Sequence, residues 1–255
     1  MIIAKKTFET PVIILLGGKG SRFSDLNEKP KQLVKINKHN LLMNIILKYN
    51  LYKKNFFILP LGHKANYFKK YLYSVKKKYK LNILEPKNME QFSKKKINIL
   101  IFDAGKKTSK IQRIKKSIKF FISSYFFFTY GDGIGDINFD KSEKYFRFTN
   151  KFILTSFKVN SRYGHIKSAK KKIITNFFEK PKLQDPINIG FYIFNTKLFL
   201  KYSNGMNELE KDFLPFVAKK KLIRNYPHEG FFFNIDSKND LFEVKNKKKY
   251  LLNKL

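Results

Sequence analysis

Short apolar runs alternate with stretches of helical periodicity along the first half of the chain. Strands are predicted where a run is too short for a helix and rich in β-branched or aromatic residues, at 12–16, 55–60, 83–84, 97–102 and 125–130. Helices are predicted where apolar residues recur every three or four positions, at 40–49, 64–80 and 108–122. Because strands alternate with helices, we expect an α/β fold with a mostly parallel mixed sheet flanked by helices.

From residue 151 onwards the pattern is richer in strands. These are predicted at 151–159, 164–168, 173–178, 187–194, 222–226 and 231–235. Helical segments are predicted at 196–202, 208–219 and 240–255. Glycine and proline do not cluster into a linker between the halves, so one domain spanning 1–255 is expected.

The first predicted strand runs directly into a glycine loop made of Gly17, Gly18 and Gly20, with Ser21 and Arg22 behind it. The chain has only 12 glycines, and three of them fall within the four residues 17–20. Glycine lets backbone N–H groups approach a ligand closely, and amides beside an arginine form a phosphate cradle. An ordinary turn from strand to loop is the alternative.

A second glycine loop follows the strand at 125–130, with Asp132 between Gly131 and Gly133. If the sheet is parallel, both loops leave the same edge, which is where open α/β sheets bind ligands. A carboxylate at the end of a buried strand, flanked by glycines, suits Mg²⁺, which takes few protein oxygens. The alternative is a simple turn, since Asp-Gly is favoured in turns.

Other polar residues near predicted strand ends are weaker candidates on their own. The segment Lys-Pro-Lys-Gln-Leu, which includes Lys31, offers a cation to a triphosphate. Asp236 is a candidate second carboxylate, although the residues alone favour an N-cap for the next helix. Glu179 and Lys180 suit a sugar hydroxyl and a phosphate, with a solvated salt bridge as the alternative.

Composition excludes several classes of chemistry. The chain has no cysteine, so disulfides, zinc–thiolate sites and thiol catalysis are excluded. The four histidines lack metal-ligand spacing and no serine lies in a nucleophile elbow, so zinc sites and hydrolase triads are not expected. No apolar run approaches the length of a membrane span. A cytoplasmic protein is therefore expected.

The formal net charge of +35 suggests a polyanionic partner when it is taken alone. The excess is mostly lysine, spread along the whole chain and accompanied by many Phe, Ile and Asn residues, all of which have codons rich in A and T. A biased genome would give this composition without selection for binding nucleic acid, and no nucleic-acid recognition module is present. The positive field should still attract phosphorylated substrates.

Taken together, these motifs resemble those of the sugar-1-phosphate nucleotidyltransferases, and among them most closely the glucose-1-phosphate cytidylyltransferases. The resemblance covers nearly the whole chain because the motifs occur in order, at the family's spacing. They are Leu-Gly-Gly-Lys-Gly-Ser-Arg at 16–22, Lys-Pro-Lys-Gln-Leu at 29–33, Tyr-Gly-Asp-Gly at 130–133, Arg-Tyr-Gly at 162–164, Phe-Glu-Lys-Pro at 178–181, Asn-Ile-Gly-Phe at 188–191 and Gly-Phe-Phe-Phe-Asn-Ile-Asp at 230–236.

The resemblance implies a Rossmann-like nucleotide-diphospho-sugar transferase fold and the conversion of CTP and glucose 1-phosphate to CDP-glucose and pyrophosphate. It implies a nucleotide-binding half at about 11–136 and a sugar-phosphate-binding half at about 151–240. A homo-oligomer is also expected. The implied nucleotide contacts are Leu16, Gly17, Gly18, Gly20, Ser21, Arg22 and Arg113. The implied sugar-phosphate contacts are Arg162, Glu179, Lys180 and Asn188, with Arg22, Lys31 and Asp132 catalytic and Asp132 and Asp236 holding Mg²⁺.

Two departures from the family pattern bear on substrate choice. Leu16 stands where the family usually has alanine, and a bulkier residue there is expected to crowd the base. Lys-Ile-Gln-Arg at 110–113 stands where the family tends to have Thr-Gly-Gly-Arg. The alternatives are therefore another nucleotide and sugar phosphate, or a catalytically weak protein that binds sugar nucleotides.

Overall fold

The short apolar runs form strands, as their pattern predicts. The computed structural model describes residues 9–16, 30–36, 38–161, 163–169 and 172–246. Within these ranges the strands are β1 (Val12–Leu15), β2 (Phe56–Leu61), β3 (Leu81–Leu84), β4 (Ile97–Asp103), β5 (Tyr125–Tyr130), β6 (Gly133–Gly135), β7 (Phe152–Phe157), β8 (His165–Ser168), β9 (Ile174–Phe178), β10 (Ile187–Asn195), β11 (Ile223–His228) and β12 (Phe232–Asn234).

The helices flank these strands along the chain. They are α1 (Leu41–Leu51), α2 (Ala65–Val75), α3 (Lys110–Ile118), α4 (Phe139–Thr149), α5 (Thr196–Tyr202), α6 (Leu214–Lys219) and α7 (Lys238–Asn246). Two short 3₁₀ turns, Lys31–Leu33 and Pro86–Gln91, and a π turn, Leu209–Phe213, complete the set. No helix in these ranges is long and apolar enough to cross a membrane.

Eight strands form one mixed sheet in the order β11-β7-β10-β5-β1-β2-β4-β3. Every neighbouring pair in it is parallel except the two that involve β10, which runs antiparallel to both β5 and β7. The expected α/β fold with a mostly parallel mixed sheet is therefore confirmed. Two small antiparallel ribbons, β6–β12 and β8–β9, stand beside it.

Strand β1 is apolar throughout because both faces of the sheet are covered. In β1, Val12 and Ile14 belong to one core layer, while Ile13 and Leu15 belong to the other. Successive side chains of a strand point to opposite faces, so a strand between two layers needs apolar residues at every position. This arrangement explains the uninterrupted run that identified the strand.

Several predicted boundaries were wrong. The helix predicted at 64–80 ends at Val75, and the lysine-rich stretch after it turns, with Lys80 at a φ of 52°. The helix predicted at 208–219 is divided into the π turn and α6, because Pro215 in the first turn of α6 lacks an N–H for the regular ladder. The periodic pattern did not predict β6 or α4.

A buried carboxylate ties α4 to the start of β5. Glu143 accepts hydrogen bonds from the Lys54 ammonium, the Tyr125 hydroxyl and the Arg147 guanidinium. Burial alone would raise the pKa of Glu143, but these donors outweigh burial and hold the pKa below its usual value of 4.5. Tyr125 is the first residue of β5, so this cluster lies at the end of the strand opposite Asp132.

We predict that Glu143→Gln lowers the free energy of unfolding by roughly 3 kcal/mol at neutral pH, because it leaves a buried lysine without its counter-charge. A group with a depressed folded pKa contributes stability above its unfolded value and loses it as the pH falls through the folded value. The difference from the wild type should therefore shrink as the pH falls below 4.5. Urea unfolding across pH measures it.

Glu243→Gln, on the exposed side of α7, is the matched control and should change stability by less than about 0.5 kcal/mol. An equal effect of the two substitutions at neutral pH would contradict the assignment of Glu143 as a structural ion pair.

Candidate functional site

The two strands that precede the glycine-rich segments end side by side. β1 and β5 are adjacent and parallel, with Leu15 paired to Tyr130. The chain continues from β1 to β2 on one side, whereas β5 lies on the other side. This is the reversal of strand order beyond which open α/β sheets bind ligands. The predicted glycine-loop residues Gly17, Gly18, Gly20, Ser21 and Arg22 follow β1 but lie outside the described residues.

The β6–β12 ribbon, which has three residues in each strand, brings two carboxylates together at this edge of the sheet. Asp132 directly precedes β6 and Asp236 lies two residues after β12. In the antiparallel register Gly133 pairs with Asn234, and the next rung is the bond from Ile235 N to Asp132 O at 3.0 Å. The ribbon therefore places the two acidic residues next to each other although they are far apart in sequence.

One ammonium group joins the two carboxylates. Lys31 Nζ lies 3.0 Å from Asp132 Oδ2 and 2.6 Å from Asp236 Oδ1. The side chain of Lys31 is only 14% exposed, whereas those of Asp132 and Asp236 are 31% and 41% exposed. A buried cation thus faces two carboxylates that remain open to a ligand. Of the predicted catalytic residues, the structure brings Lys31 and Asp132 into direct contact.

The charge of Lys31 is fixed by this contact. Burial alone would lower the pKa of the Lys31 ammonium, but Asp132 and Asp236 together outweigh burial and raise the pKa above its usual value. Lys31 therefore stays protonated at physiological pH. The same ammonium holds two like charges close together, an arrangement that would otherwise be repulsive.

Asp236 does not cap the following helix. Ser237 accepts a hydrogen bond from Asp240 N at 3.2 Å, and the Asp240 carboxylate accepts in return from Ser237 N at 2.8 Å. The carboxylate of Asp236 instead accepts from Asn234 Nδ2 at 2.6 Å and from Lys31. The capping role considered for Asp236 from sequence thus belongs to Ser237.

Leu16 is a packing residue at the base of the site. Its side chain is 1% exposed and touches the backbone of Gly131, where an added Cβ would lie 2.5 Å from Leu16 Cδ2. The same Cβ would lie 3.0 Å from Gln32 Cγ. Leu16 therefore fills the space that the missing side chain of Gly131 leaves, one residue before Asp132.

Arg113 holds the end of β1 in place. Its guanidinium donates from Nη1 to the carbonyl oxygen of Leu16 at 3.0 Å and from Nε to that of Thr108 at 3.2 Å. Burial lowers the pKa of Arg113, and the charge of Asp103 acts against burial. With only 9% exposure, Arg113 supports the backbone from which the glycine loop begins.

The predicted sugar-phosphate residues fall in two places. Asn188 lies at a β-bulge in β10, where Gly190 adopts a φ of +79° and donates its N–H to Asn188 Oδ1 at 3.0 Å. Asn188 Nδ2 donates to the Tyr192 hydroxyl at 2.6 Å. The bulge lies near the ribbon, because the Ile189 carbonyl is 3.8 Å from where a Cβ on Gly133 would be.

Glu179 and Lys180 lie just beyond the exposed β8–β9 ribbon. Their charged groups are 3.5 Å apart and both side chains are 62% exposed, which matches the solvated salt bridge considered from sequence. Glu179 also approaches Gly164, where an added Cβ would be 3.2 Å from Glu179 Oε2. Arg162 lies outside the described residues.

A polar group beside the site has no counterpart in the sequence analysis. The Tyr130 hydroxyl donates to Glu210, which also accepts from Lys110 Nζ at 2.7 Å. Burial, followed by the nearby Tyr192 and Glu210, raises the pKa of Tyr130, so the phenol stays neutral and donates. The only sequence signal for this group was the polar Glu-Leu-Glu-Lys-Asp stretch at 208–212, which resembles any exposed helix.

Comparison with known proteins relates the chain to one family. The nucleotidyl transferase family profile matches residues 11–246. A probable glucose-1-phosphate cytidylyltransferase of Bacillus subtilis is 30% identical over 91% of this chain and 93% of the relative. A glucose-1-phosphate cytidylyltransferase of Salmonella typhimurium is 26% identical over 89% of this chain and 91% of the relative.

A solved structure has the same fold. The HddC protein of Yersinia pseudotuberculosis, in complex with GMP-PN, superposes with a TM-score of 0.67 over 94% of this chain and 99% of its own. Its sequence identity to this chain is 21%. The nucleotide-diphospho-sugar transferase fold expected from the motifs is therefore confirmed.

We predict that Leu16 and Gly131 are energetically coupled. Gly131→Ala should cost roughly 1–3 kcal/mol through overpacking, and Leu16→Ala about 2–5 kcal/mol through the cavity it leaves. In the double variant the new methyl group enters that cavity, so the total should fall below the sum by at least ~0.5 kcal/mol. Urea unfolding of the four proteins measures the coupling, and strict additivity would refute the contact.

Proposed function

The chain belongs to the nucleotidyl transferase family of sugar-1-phosphate nucleotidyltransferases, and we propose that it condenses CTP with glucose 1-phosphate to give CDP-glucose and pyrophosphate. The observation that carries the proposal is the ammonium of Lys31 between Asp132 and Asp236 at the strand-order reversal. The choice of CTP and glucose 1-phosphate is supported by the names of the two cytidylyltransferase relatives.

The carboxylate pair fits a magnesium ion. One cation, the Lys31 ammonium, already lies between an oxygen of Asp132 and an oxygen of Asp236, so the two groups are placed to share a positive charge. Within the described ranges no cluster of three or more acidic, His or Cys side chains could hold a metal. Mg²⁺ commonly takes one or two protein carboxylates and completes its shell with phosphates and water.

In the proposed reaction an oxygen of the sugar phosphate attacks the α-phosphorus of the nucleotide. The new P–O bond forms as the bond to the bridging oxygen breaks, and pyrophosphate leaves with the electron pair. Magnesium, when bound, would neutralise phosphate charge. Lys31 contributes its fixed positive charge at the α-phosphate, and Gly17, Gly18, Gly20, Ser21 and Arg22 hold the triphosphate. Positioning and charge neutralisation suffice, so no protein nucleophile is required.

The second half of the chain would hold the sugar phosphate. We assign this role to Asn188 at the bulge near the ribbon, and to Arg162, Glu179 and Lys180. Arg113 acts on the nucleotide through the backbone of Leu16. The division into a nucleotide half at about 11–136 and a sugar half at about 151–240, the homo-oligomer and the cytoplasmic location remain predictions from the sequence.

The two departures from the family pattern, at Leu16 and Gln112, have packing and capping roles. Its side chain is buried against Gly131, so it supports the floor of the site, whereas the sequence had suggested that it crowds the base. Gln112 is engaged in the N-terminal cap of α3, where its side chain accepts from Ser109 N at 3.2 Å. Another nucleoside triphosphate paired with another hexose 1-phosphate is the alternative that the same chemistry allows.

The first test measures pyrophosphate release with each of the four nucleoside triphosphates, several hexose 1-phosphates and Mg²⁺. We predict the highest kcat/KM for CTP with glucose 1-phosphate. A higher value for another pair would correct the substrate assignment within the family. If no pair releases pyrophosphate, the proposed enzymatic activity is refuted. A protein that binds sugar nucleotides without turnover is then favoured.

Lys31→Ala and Asp132→Asn are each predicted to lower kcat by roughly 10²–10³-fold, because each removes a charge placed at the reacting phosphate. Lys35→Ala, four residues along the same segment, and Asp140→Asn, in the first turn of α4, are matched exposed controls that should leave the rate unchanged. Wild-type rates in Lys31→Ala or Asp132→Asn would refute the site assignment.

A further prediction follows because the ammonium of Lys31 and a divalent cation would compete for the same carboxylate oxygens. Lys31→Met should bind Mn²⁺ about tenfold more tightly without nucleotide, since a unit charge at a few ångströms is worth roughly 1–4 kcal/mol at a partly exposed site. The affinity is measured by electron paramagnetic resonance. Lys35→Met is the control. Unchanged or weaker binding of Mn²⁺ by Lys31→Met would show that the ammonium of Lys31 does not occupy the cation's place.

A further inference from the structure

A second buried carboxylate lies at the far end of the ribbon from the proposed metal site. The side chain of Asp136 is 11% exposed and that of His228, beside it, is 7% exposed. Asp136 Oδ1 accepts from Phe231 N at 2.7 Å, and His228 Nε2 lies 3.1 Å from the same oxygen. His228 Nε2 is also 3.0 Å from the Phe231 carbonyl oxygen. Both of these neighbours are acceptors, so Nε2 carries the hydrogen in this arrangement.

The turn between β11 and β12 lies directly on this carboxylate. A Cβ added to Gly230 would lie 2.0 Å from Asp136 Oδ1 and 2.5 Å from the carboxyl carbon. That contact leaves no room for a side chain. A side chain at position 230 would therefore require the Asp136 carboxylate to move, and the bond from Phe231 N holds the turn against that carboxylate.

The same residues begin the ribbon that carries the metal-site carboxylates. Asp136 N donates to the Phe231 carbonyl at 3.3 Å, after which Gly135 pairs with Phe232. The ladder ends at the bond from Ile235 to Asp132. A two-stranded ladder of this length is marginal on its own, and a slip of one residue would turn every side chain to the opposite face.

His228 connects this arrangement to the central sheet. It is the last residue of β11 and pairs with Phe157 of β7, and the two rings are 5.8 Å apart. The imidazole therefore reaches from the edge strand of the eight-stranded sheet to Asp136 on the ribbon. These contacts of His228 attach the Asp136 end of the ribbon to the central sheet.

We propose that Asp136 and His228 form a positioning pair that sets the register of β12 on β6, and thereby the place of Asp236 relative to Asp132. Neither residue is a catalytic residue, because each acts through the ribbon. The proposal goes beyond the reaction itself and rests on the proposed function where metal binding and turnover are measured.

The decisive variants are Asp136→Ala, which removes the acceptor, and Asp136→Asn, which keeps one oxygen for Phe231 N. We expect Mn²⁺ affinity without nucleotide to fall roughly 10- to 100-fold in Asp136→Ala, as for other residues that orient metal ligands, and to fall less in Asp136→Asn. With nucleotide and sugar phosphate, the metal concentration for half-maximal rate should rise by the same factor, while kcat at saturating metal changes by less than about threefold.

A second measurement does not depend on activity. The Ile235 amide, bonded to Asp132 O, should exchange its hydrogen roughly tenfold faster in Asp136→Asn than in the wild type, while the Phe127 amide inside the central sheet should not change. If Asp136→Ala does not fold, Asp136→Asn carries both tests. His228→Gln, which retains a donor, should stay closer to the wild type than His228→Leu.

Glu229→Ala changes the exposed residue between His228 and Gly230, and it should match the wild type in every measurement. Wild-type metal affinity and wild-type Ile235 exchange in a folded Asp136 variant would overturn the proposal. A lower melting temperature with unchanged metal affinity would also overturn it, since that result is expected of a residue that only stabilises the fold. If the wild type has no turnover, the proposed function fails, yet the exchange measurement still decides the role of Asp136.

Discussion

The site depends on a single charge balance, in which one buried ammonium compensates two carboxylates. Without Lys31, the ribbon would hold Asp132 and Asp236 side by side with their negative charges opposed. With it, the raised pKa of Lys31 keeps a permanent cation beside them. The same three groups would serve a reaction between two phosphates, where negative charge must be held close and neutralised. The electrostatics that stabilise the free protein and those proposed for the reaction therefore involve the same atoms.

The rest of the fold delivers these groups to one place. The parallel pair β1 and β5 ends at the strand-order reversal, and Leu16 packs on Gly131 beneath the loop that follows β5. Arg113 anchors the end of β1. The ribbon carries Asp236 to Asp132, and the bulge in β10 brings the backbone next to Asn188 towards the same ribbon. Each of these contacts acts on the backbone, so the central sheet and the ribbon together set the positions of the site residues.

The sequence predicted the features that depend on local pattern. Apolar runs identified β1 and β5, and glycine spacing pointed to the loops after them and to Asp132. It could not predict that Ser237, rather than Asp236, caps α7, or that Lys31 contacts a carboxylate 205 positions away. Such contacts are set by tertiary packing, which leaves no periodic signal. Asp136 and His228 were missed for the same reason, because Asp136 contacts His228 and the backbone of Phe231 across a long separation in sequence.

We propose that Asp132 and Asp236 share one divalent cation, which replaces the ammonium of Lys31 between them. A crystal structure with Mn²⁺ and a non-hydrolysable analogue of CTP tests it most directly, through the anomalous signal of manganese. We predict one manganese peak within coordination distance of an oxygen of each carboxylate, with Lys31 Nζ moved to the α-phosphate. A manganese peak elsewhere, with Lys31 still between Asp132 and Asp236, would contradict it.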